Sequence, residues 1–309
     1  MYDRPVRMSR TVLTVFCISL AGVSFTDARA FPIQEGLAGQ AGGGPDRSVM
    51  VELVASTRAL DGNELLKIGD LHEVQNHLLE ALPYYRRALA TFRARKDRHG
   101  EATALIRIGR VQERQGHHAE AYASLHEAVP LLEVTEDGAH AKALLSLGFV
   151  SESLGKVAEA QRAYEGAGGL FLRMQDRSGY TESLIRLGSL FIAQNQATEG
   201  LATLQKALKD ARDREDHGQE LTILTRIGDS HMKGAERGVA LALYEEGLKL
   251  AESQRDVRTE AGLRVRLAKL YEADDRSAEG AKFAWRALAL YQSLKDRSQE
   301  ADTWSLLGN

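Results

Sequence analysis

Only one cysteine occurs in the 309 residues, and it is Cys17, inside an apolar run near the N-terminus. With that run removed, the chain can build neither a disulfide framework nor a thiolate metal site, and its stability must come from packing. Charge of neither sign dominates. The net charge is -3, with 27% charged and 43% hydrophobic residues, so the basic excess that marks nucleic-acid binding is missing. A membrane-spanning run is missing as well, because the N-terminal apolar stretch has 15 residues, from Thr11 to Phe25, where a spanning helix needs about 20.

Reactive constellations are equally scarce. His117, His118 and His126 lie close in sequence, but no carboxylate or cysteine of known ligand spacing joins them, and they read as surface histidines. His99 and His217 fall in equivalent turns where Ser178 stands elsewhere, which suits a polar turn position rather than a base. Gly166, Gly168 and Gly169 lack the Lys-Ser or Lys-Thr that completes a phosphate loop, and no serine sits in a nucleophile elbow. The reading is of a chain that is not an enzyme and takes no cofactor or metal.

What is present begins at the N-terminus. Arg4, Arg7 and Arg10 precede the apolar run, and Ala28-Arg29-Ala30 follows it, a small-x-small site after which Phe31 would begin the mature chain. This is the layout of a secretory signal peptide over residues 1–30. It predicts an exported protein, periplasmic or secreted, whose membrane contact is confined to the signal during export. Residues 31–62 then hold a glycine-rich linker, with Gly36, Gly39, Gly42, Gly43, Gly44 and Pro45, and a short capping helix from about Asp46 to Leu60.

From there one pattern repeats. Gly69, Gly109, Gly148, Gly188, Gly228 and Gly308, with Ala268 in the one gap, lie 40, 39, 40, 40, 40 and 40 residues apart. A fixed period of this size signals units that bury their apolar faces only by stacking. Other columns keep the same phase. Leu65, Leu105, Leu144, Leu184, Leu224 and Trp304 stand four residues before the glycine column, and Arg264 takes the place of the large apolar residue in the sixth unit. Downstream, Ala81, Tyr85, Ala88 and Phe92 are spaced 4, 3 and 4 apart, one stripe of a second helix. Asn76, Gly116, Gly155 and Asn195, seven residues after the glycine, fit a left-handed turn between the two helices. Asp97, Asp176, Asp216, Asp256 and Asp296, twelve before the next one, fit N-caps. The unit is a helix hairpin, repeated six times over residues 63–309 and followed by the first helix of a seventh.

These columns resemble the tetratricopeptide repeat (TPR) family, in a long form of about 40 residues where 34 is usual. The aromatic expected three residues after the glycine is present as Phe191 and Tyr271 but replaced by His72, Gln112, Ser151 and His231, and the expected proline near each unit's end is absent. The resemblance implies an all-α fold, a right-handed α-solenoid of stacked hairpins, whose first helices line a concave groove that receives protein or peptide partners. It extends to the TPR regions of exported bacterial proteins with a CHAT-type protease domain or a sensor kinase. An exported scaffold is therefore one expectation, and the N-terminal interaction region of a larger enzyme or sensor, continuing past Asn309, is the other.

Two residues before the glycine column stand Lys67, Arg107, Arg186, Arg226 and Arg266, with Ser146 the exception. This cationic column would run along the groove and suit an acidic segment or a free C-terminus. Alternatively, the arginines pair with the acids that follow on the same helices, Asp70, Glu73, Glu113, Glu152, Asp229 and Glu272. Self-association is a further expectation, because Trp304 and Leu307 in the seventh unit would lack a partner helix.

Overall fold

A computed structural model describes residues 60–132 and 138–308. The signal peptide, the linker and the capping helix expected before Leu60 lie outside the described residues. Thirteen helices and no strand are found among them: α1 (Gly62–Val74), α2 (Leu78–Arg95), α3 (Arg98–Arg114), α4 (His118–Leu132), α5 (Gly138–Ser153), α6 (Val157–Arg173), α7 (Arg177–Ala193), α8 (Ala197–Asp213), α9 (His217–Lys233), α10 (Arg237–Gln254), α11 (Val257–Ala273), α12 (Ser277–Leu294) and α13 (Arg297–Leu307). The chain divides into two compact units, the first ending at Ala88 within α2 and the second beginning at Leu89.

The expected caps form. The carboxylates of Asp97, Asp176 and Asp216 accept from the amides of Gly100, Gly179 and Gln219 at 2.9, 2.9 and 3.1 Å, and Asp256 and Asp296 do the same for Thr259 and Gln299. A further cap lies outside that aspartate column: Asp61 opens α1 in a capping box with Glu64. The turns between paired helices also form as expected, with φ of 63° and 61° at Asn76 and Asn195 and 77° and 72° at Gly116 and Gly155.

In the fifth repeat the turn keeps its register, but the glycine stands one residue too early to use it. Ala235 takes the left-handed position at φ 60°, while the neighbouring Gly234 sits at φ -77°, where its freedom has no use. An L-residue with a Cβ loses about 1 kcal/mol there relative to glycine. A Cβ on Gly234 would make only ordinary contact, 3.6 Å from the His231 carbonyl oxygen. Exchanging the two, as Gly234→Ala with Ala235→Gly, should raise stability by about 1 kcal/mol, measured as the shift of the urea midpoint.

In the second unit the helices pack as hairpins: α3 with α4, α5 with α6, α7 with α8, α9 with α10 and α11 with α12. Successive first helices, from α3 through α5, α7 and α9 to α11, also approach one another directly, more closely than second helices do among the described residues. Such a stack turns its first helices inward, and this all-helical α-solenoid is the expected fold.

Size matching closes each hairpin. Tyr164 and Tyr244 on second helices run beneath Gly148 and Gly228 on first helices, so close that a Cβ on either glycine would lie 2.5 Å from the ring. In the first unit Tyr85 does the same beneath Gly69. Where the aromatic is replaced by Leu125 or Leu204, a Cβ on the glycine would lie 2.8 Å from the leucine Cγ. The sixth repeat inverts the sizes: Ala268 stands in the glycine column, and buried Ala284 stands in the tyrosine column. Between repeats, Phe92 and Phe171 fill the space left by Gly100 and Gly179 at the start of the next first helix.

Arg264 breaks the apolar leucine column yet is buried, 6% exposed. It is tolerated because its guanidinium bonds Glu260 one turn back at 2.9 Å and Glu252 of α10 at 2.6 Å. At the C-terminal end, Trp304 occupies the same column and stays 46% exposed, resting edge-on against Trp285 at 5.4 Å between ring centroids.

An ion-pair junction joins α7 and α8. Asp210 accepts from Thr181 at 2.6 Å, from the Arg177 Nε at 2.8 Å and from the Arg214 Nε at 2.9 Å. Burial pushes its pKa upward, but these donors outweigh burial and hold the carboxyl below its usual value. A depressed folded pKa gives stability that is complete above the unfolded value and is lost as pH falls through the folded one. Asp210→Asn should therefore lower stability at neutral pH and flatten the acid limb of the stability profile below about pH 4. Denaturant titrations of both proteins across pH check this.

Candidate functional site

The inward face is built by the first helices, and the predicted cationic column lies on them. Its members do not share one environment. Lys67, on α1 in the first unit, is exposed. Arg107, Arg186, Arg226 and Arg266, on α3, α7, α9 and α11, are half-buried. Arg186 donates through Nε to Glu182 at 2.8 Å and lies 5.4 Å over the Phe149 ring. Arg266 grips Asp229 with both prongs, Nε to Oδ1 at 2.8 Å and Nη2 to Oδ2 at 3.1 Å.

This changes the pairing expected from sequence. Asp229 belongs to the preceding first helix, 37 residues away, so the bridge runs between repeats rather than along one helix. Most of the acids expected to neutralise the arginines are held from below instead. The Tyr244 hydroxyl donates to Asp229 at 2.7 Å, Tyr164 to Glu152 at 2.8 Å, and Tyr85 to Asp70 and Glu73 at 2.8 and 2.9 Å. Each tyrosine ring is buried in its hairpin while its hydroxyl emerges at the acidic side of the first helix. Burial first, and then the neighbouring carboxylate, raises all three phenol pKa values well above the ordinary one, so they remain donors at any physiological pH.

The sequence carried a signal for this that periodicity did not exploit. Every repeat with tyrosine at the sixteenth position after glycine has an acid at the first or fourth. Among the leucine repeats, the one at Gly188 has Ser189 and Ile192 there.

Where α9 and α11 pass each other, the face opens into a cleft of about 360 Å³. Thr222, Thr225, Arg226 and Asp229 line it from α9, and Arg258 and Arg266 from α11. Arg258 bonds Asp296 at 2.7 Å, and Arg266 is spent on Asp229. Arg226 is different: its Nε is shielded from solvent and has no hydrogen-bond partner among the described residues. Both threonine hydroxyls donate back into their own helix, Thr222 to Gly218 O at 3.0 Å and Thr225 to Leu221 O at 2.8 Å. Their oxygens keep lone pairs directed outward. The cleft thus sets the half-buried Arg226 guanidinium beside two neutral acceptors. Among the described residues, no group of three His, Cys, Asp or Glu side chains is placed to hold a metal ion.

Comparison with known proteins agrees with this architecture. The profile of the tetratricopeptide repeat family matches residues 63–133. No curated protein matches the chain. Among solved structures, the chain is similar to a kinesin light chain of Podosopora anserina with nearly identical TPR-like repeats, at 17% identity and a TM-score of 0.55, covering 62% of this chain and 96% of that one. It is similar to a signal transduction ATPase with numerous domains from Pyrococcus horikoshii, which carries a tetratricopeptide repeat sensor, at 16% identity and a TM-score of 0.61, covering 84% of this chain but 39% of that one. A Rap protein in complex with competence and sporulation factor is similar at 12% identity and a TM-score of 0.57, over 85% of this chain and 78% of its own. At these identities the likeness is one of fold.

Proposed function

We propose that this array of tetratricopeptide-type repeats is an exported, non-enzymatic scaffold that binds a protein or peptide partner along the face built by its first helices. The observation that carries the reading is the α9/α11 cleft, which presents donors and acceptors to the inside of a regular stack. Repeat arrays use such inner surfaces for extended partners, and the similar Rap protein was solved with competence and sporulation factor bound. Export rests on the basic start, the apolar run and the Ala28-Arg29-Ala30 site. No helix among the described residues is long and apolar enough to cross a membrane.

The test is site-specific crosslinking in the exporting cell. A photoreactive residue at Thr222 or Ser189, on first helices, should yield partner adducts. The same residue at Lys209 or Glu245, exposed on second helices, should not. Adducts confined to the second helices would overturn the proposed face, and retention of the full chain in the cytoplasm would overturn export. A second reading, the sensing region of a larger protein, draws on the likeness to the Pyrococcus horikoshii ATPase, of which the chain matches a part.

A further inference from the structure

We infer that α6 is the articulation of the array: the helix yields over residues 166–169, and the repeats on its two sides move against each other there. This property belongs to the stack itself, whatever it binds. At the same four places in the other repeats of the second unit stand Glu127-Ala128-Val129-Pro130, Lys206-Ala207-Leu208-Lys209, Glu246-Gly247-Leu248-Lys249 and Arg286-Ala287-Leu288-Ala289, against Gly166-Ala167-Gly168-Gly169 here. Packing does not require these glycines. A Cβ would meet nothing within 4 Å at Gly169, and only ordinary contacts at 3.4 Å with Leu144 from Gly166 and with Ser183 from Gly168. Gly247 is the contrast, since a Cβ there would press on Leu263 at 3.2 Å. With no steric demand to meet, what three glycines do to a helix interior is soften it, each raising the open population roughly fivefold over alanine.

Two anchors turn that softness into a joint. On one side, Tyr164 is fixed in its own hairpin, beneath Gly148 and bonded to Glu152 at 2.8 Å. On the other, Phe171 belongs with the next repeat, filling the hollow beside Gly179 at the start of α7, where a Cβ would lie 2.4 Å from its ring. The glycines lie between them. The wedge between repeats is reduced here as well. Leu208 shares an apolar cluster with Ile223 of the following first helix, and Leu248 another with Leu263, whereas the same register sets Gly168 against Ser183. Bending α6 therefore leaves both aromatic seats intact, gives up little apolar contact, and changes the separation of α5 and α7 on the inward face.

Hydrogen exchange of the full chain, combined with two matched spin-label distances, tests this. The α6 amides beyond Tyr164 should be less protected than those of α8 and α10. Gly166→Ala, Gly168→Ala and Gly169→Ala together should raise their protection up to roughly a hundredfold and leave α10 unchanged. In a Cys17→Ser background, labels at Ala123 and Ala202 span α6, and labels at Ala202 and Lys282 span α10, all at one exposed register of the second helices. The first pair should give the broader distance distribution, and the triple alanine variant should narrow it. The second pair should be narrow in both proteins. Amides of α6 as well protected as those of α8 and α10 would overturn the articulation, and so would a first-pair distribution whose width the triple variant leaves unchanged. Neither result depends on whether a partner is captured, so the scaffold reading stands or falls separately.

Discussion

Gly148→Ala is expected to destabilise the array by about 2 kcal/mol, even though the same change raises helix propensity. Propensity alone favours alanine by about 1 kcal/mol. Against it stands the ring of Tyr164, which a new Cβ would meet at 2.5 Å. That ring is 1% exposed and its hydroxyl is tied to Glu152, so it has nowhere to retreat. Overpacking of this kind costs about 1–3 kcal/mol, and a tethered ring places the cost at the upper end. Gly169, on α6 of the same repeat, supplies the control. A Cβ there would meet nothing within 4 Å, so Gly169→Ala should gain up to about 1 kcal/mol. The two variants should separate in urea in opposite directions from the parent. A stable Gly148→Ala protein would mean that the glycine column is not set by the aromatic beneath it.

Tyr244→Ala should cost about 3–5 kcal/mol, the usual loss for emptying a buried aromatic site. Tyr244 is 1% exposed, and its removal would open the α9/α10 hairpin at the point of closest approach to Gly228. Tyr244→Phe keeps the ring and loses only the hydroxyl bond to Asp229, for about 1 kcal/mol. Tyr244→Leu should be better tolerated than alanine, since Leu125 and Leu204 fill the equivalent place in other repeats. The order Phe, Leu, Ala in falling stability is checked by denaturant midpoints. Hydrogen exchange of α9 and α10 locates the damage, which should concentrate there because each repeat contacts chiefly its neighbours. An alanine variant as stable as the phenylalanine one would show that the buried ring contributes little.

Much of this architecture was legible because the physical demands behind it recur at one period. A helix pair in close approach needs a small residue in the same place every time, so Gly148, Gly188 and Gly228 stand out together. A helix start needs an acceptor, and five aspartates supplied it in phase. Other features left no such trace. Lys96, Gln175, Glu215, Arg255 and Lys295 all hold positive φ between repeats, at 57°, 60°, 55°, 56° and 55°. None of these residue types announces that conformation, and only their place just before each capping aspartate marks them.

The candidate site was legible in position but not in chemistry. Lys67, Arg107, Arg186, Arg226 and Arg266 were placed on the first helices by phase alone. Arg186 pairs with Glu182 one turn back, which helix spacing allows, but Arg266 pairs with Asp229 37 residues away, and spacing along one helix carries no information about that. Arg264 shows the converse. It looked like a defect in the apolar column; Glu260 stands one turn back on the same helix, but Glu252 is recognisable as its second partner only once α10 and α11 are packed.

The chain has two tryptophans, and the Trp285–Trp304 pair accounts for both. Intrinsic indole fluorescence is therefore a reporter of a single locus, the α12/α13 end, whereas far-ultraviolet ellipticity averages over every helix. If that end frays before the repeats behind it, emission will shift at lower denaturant than ellipticity falls, and the lag between the two curves measures how independently the last hairpin lets go.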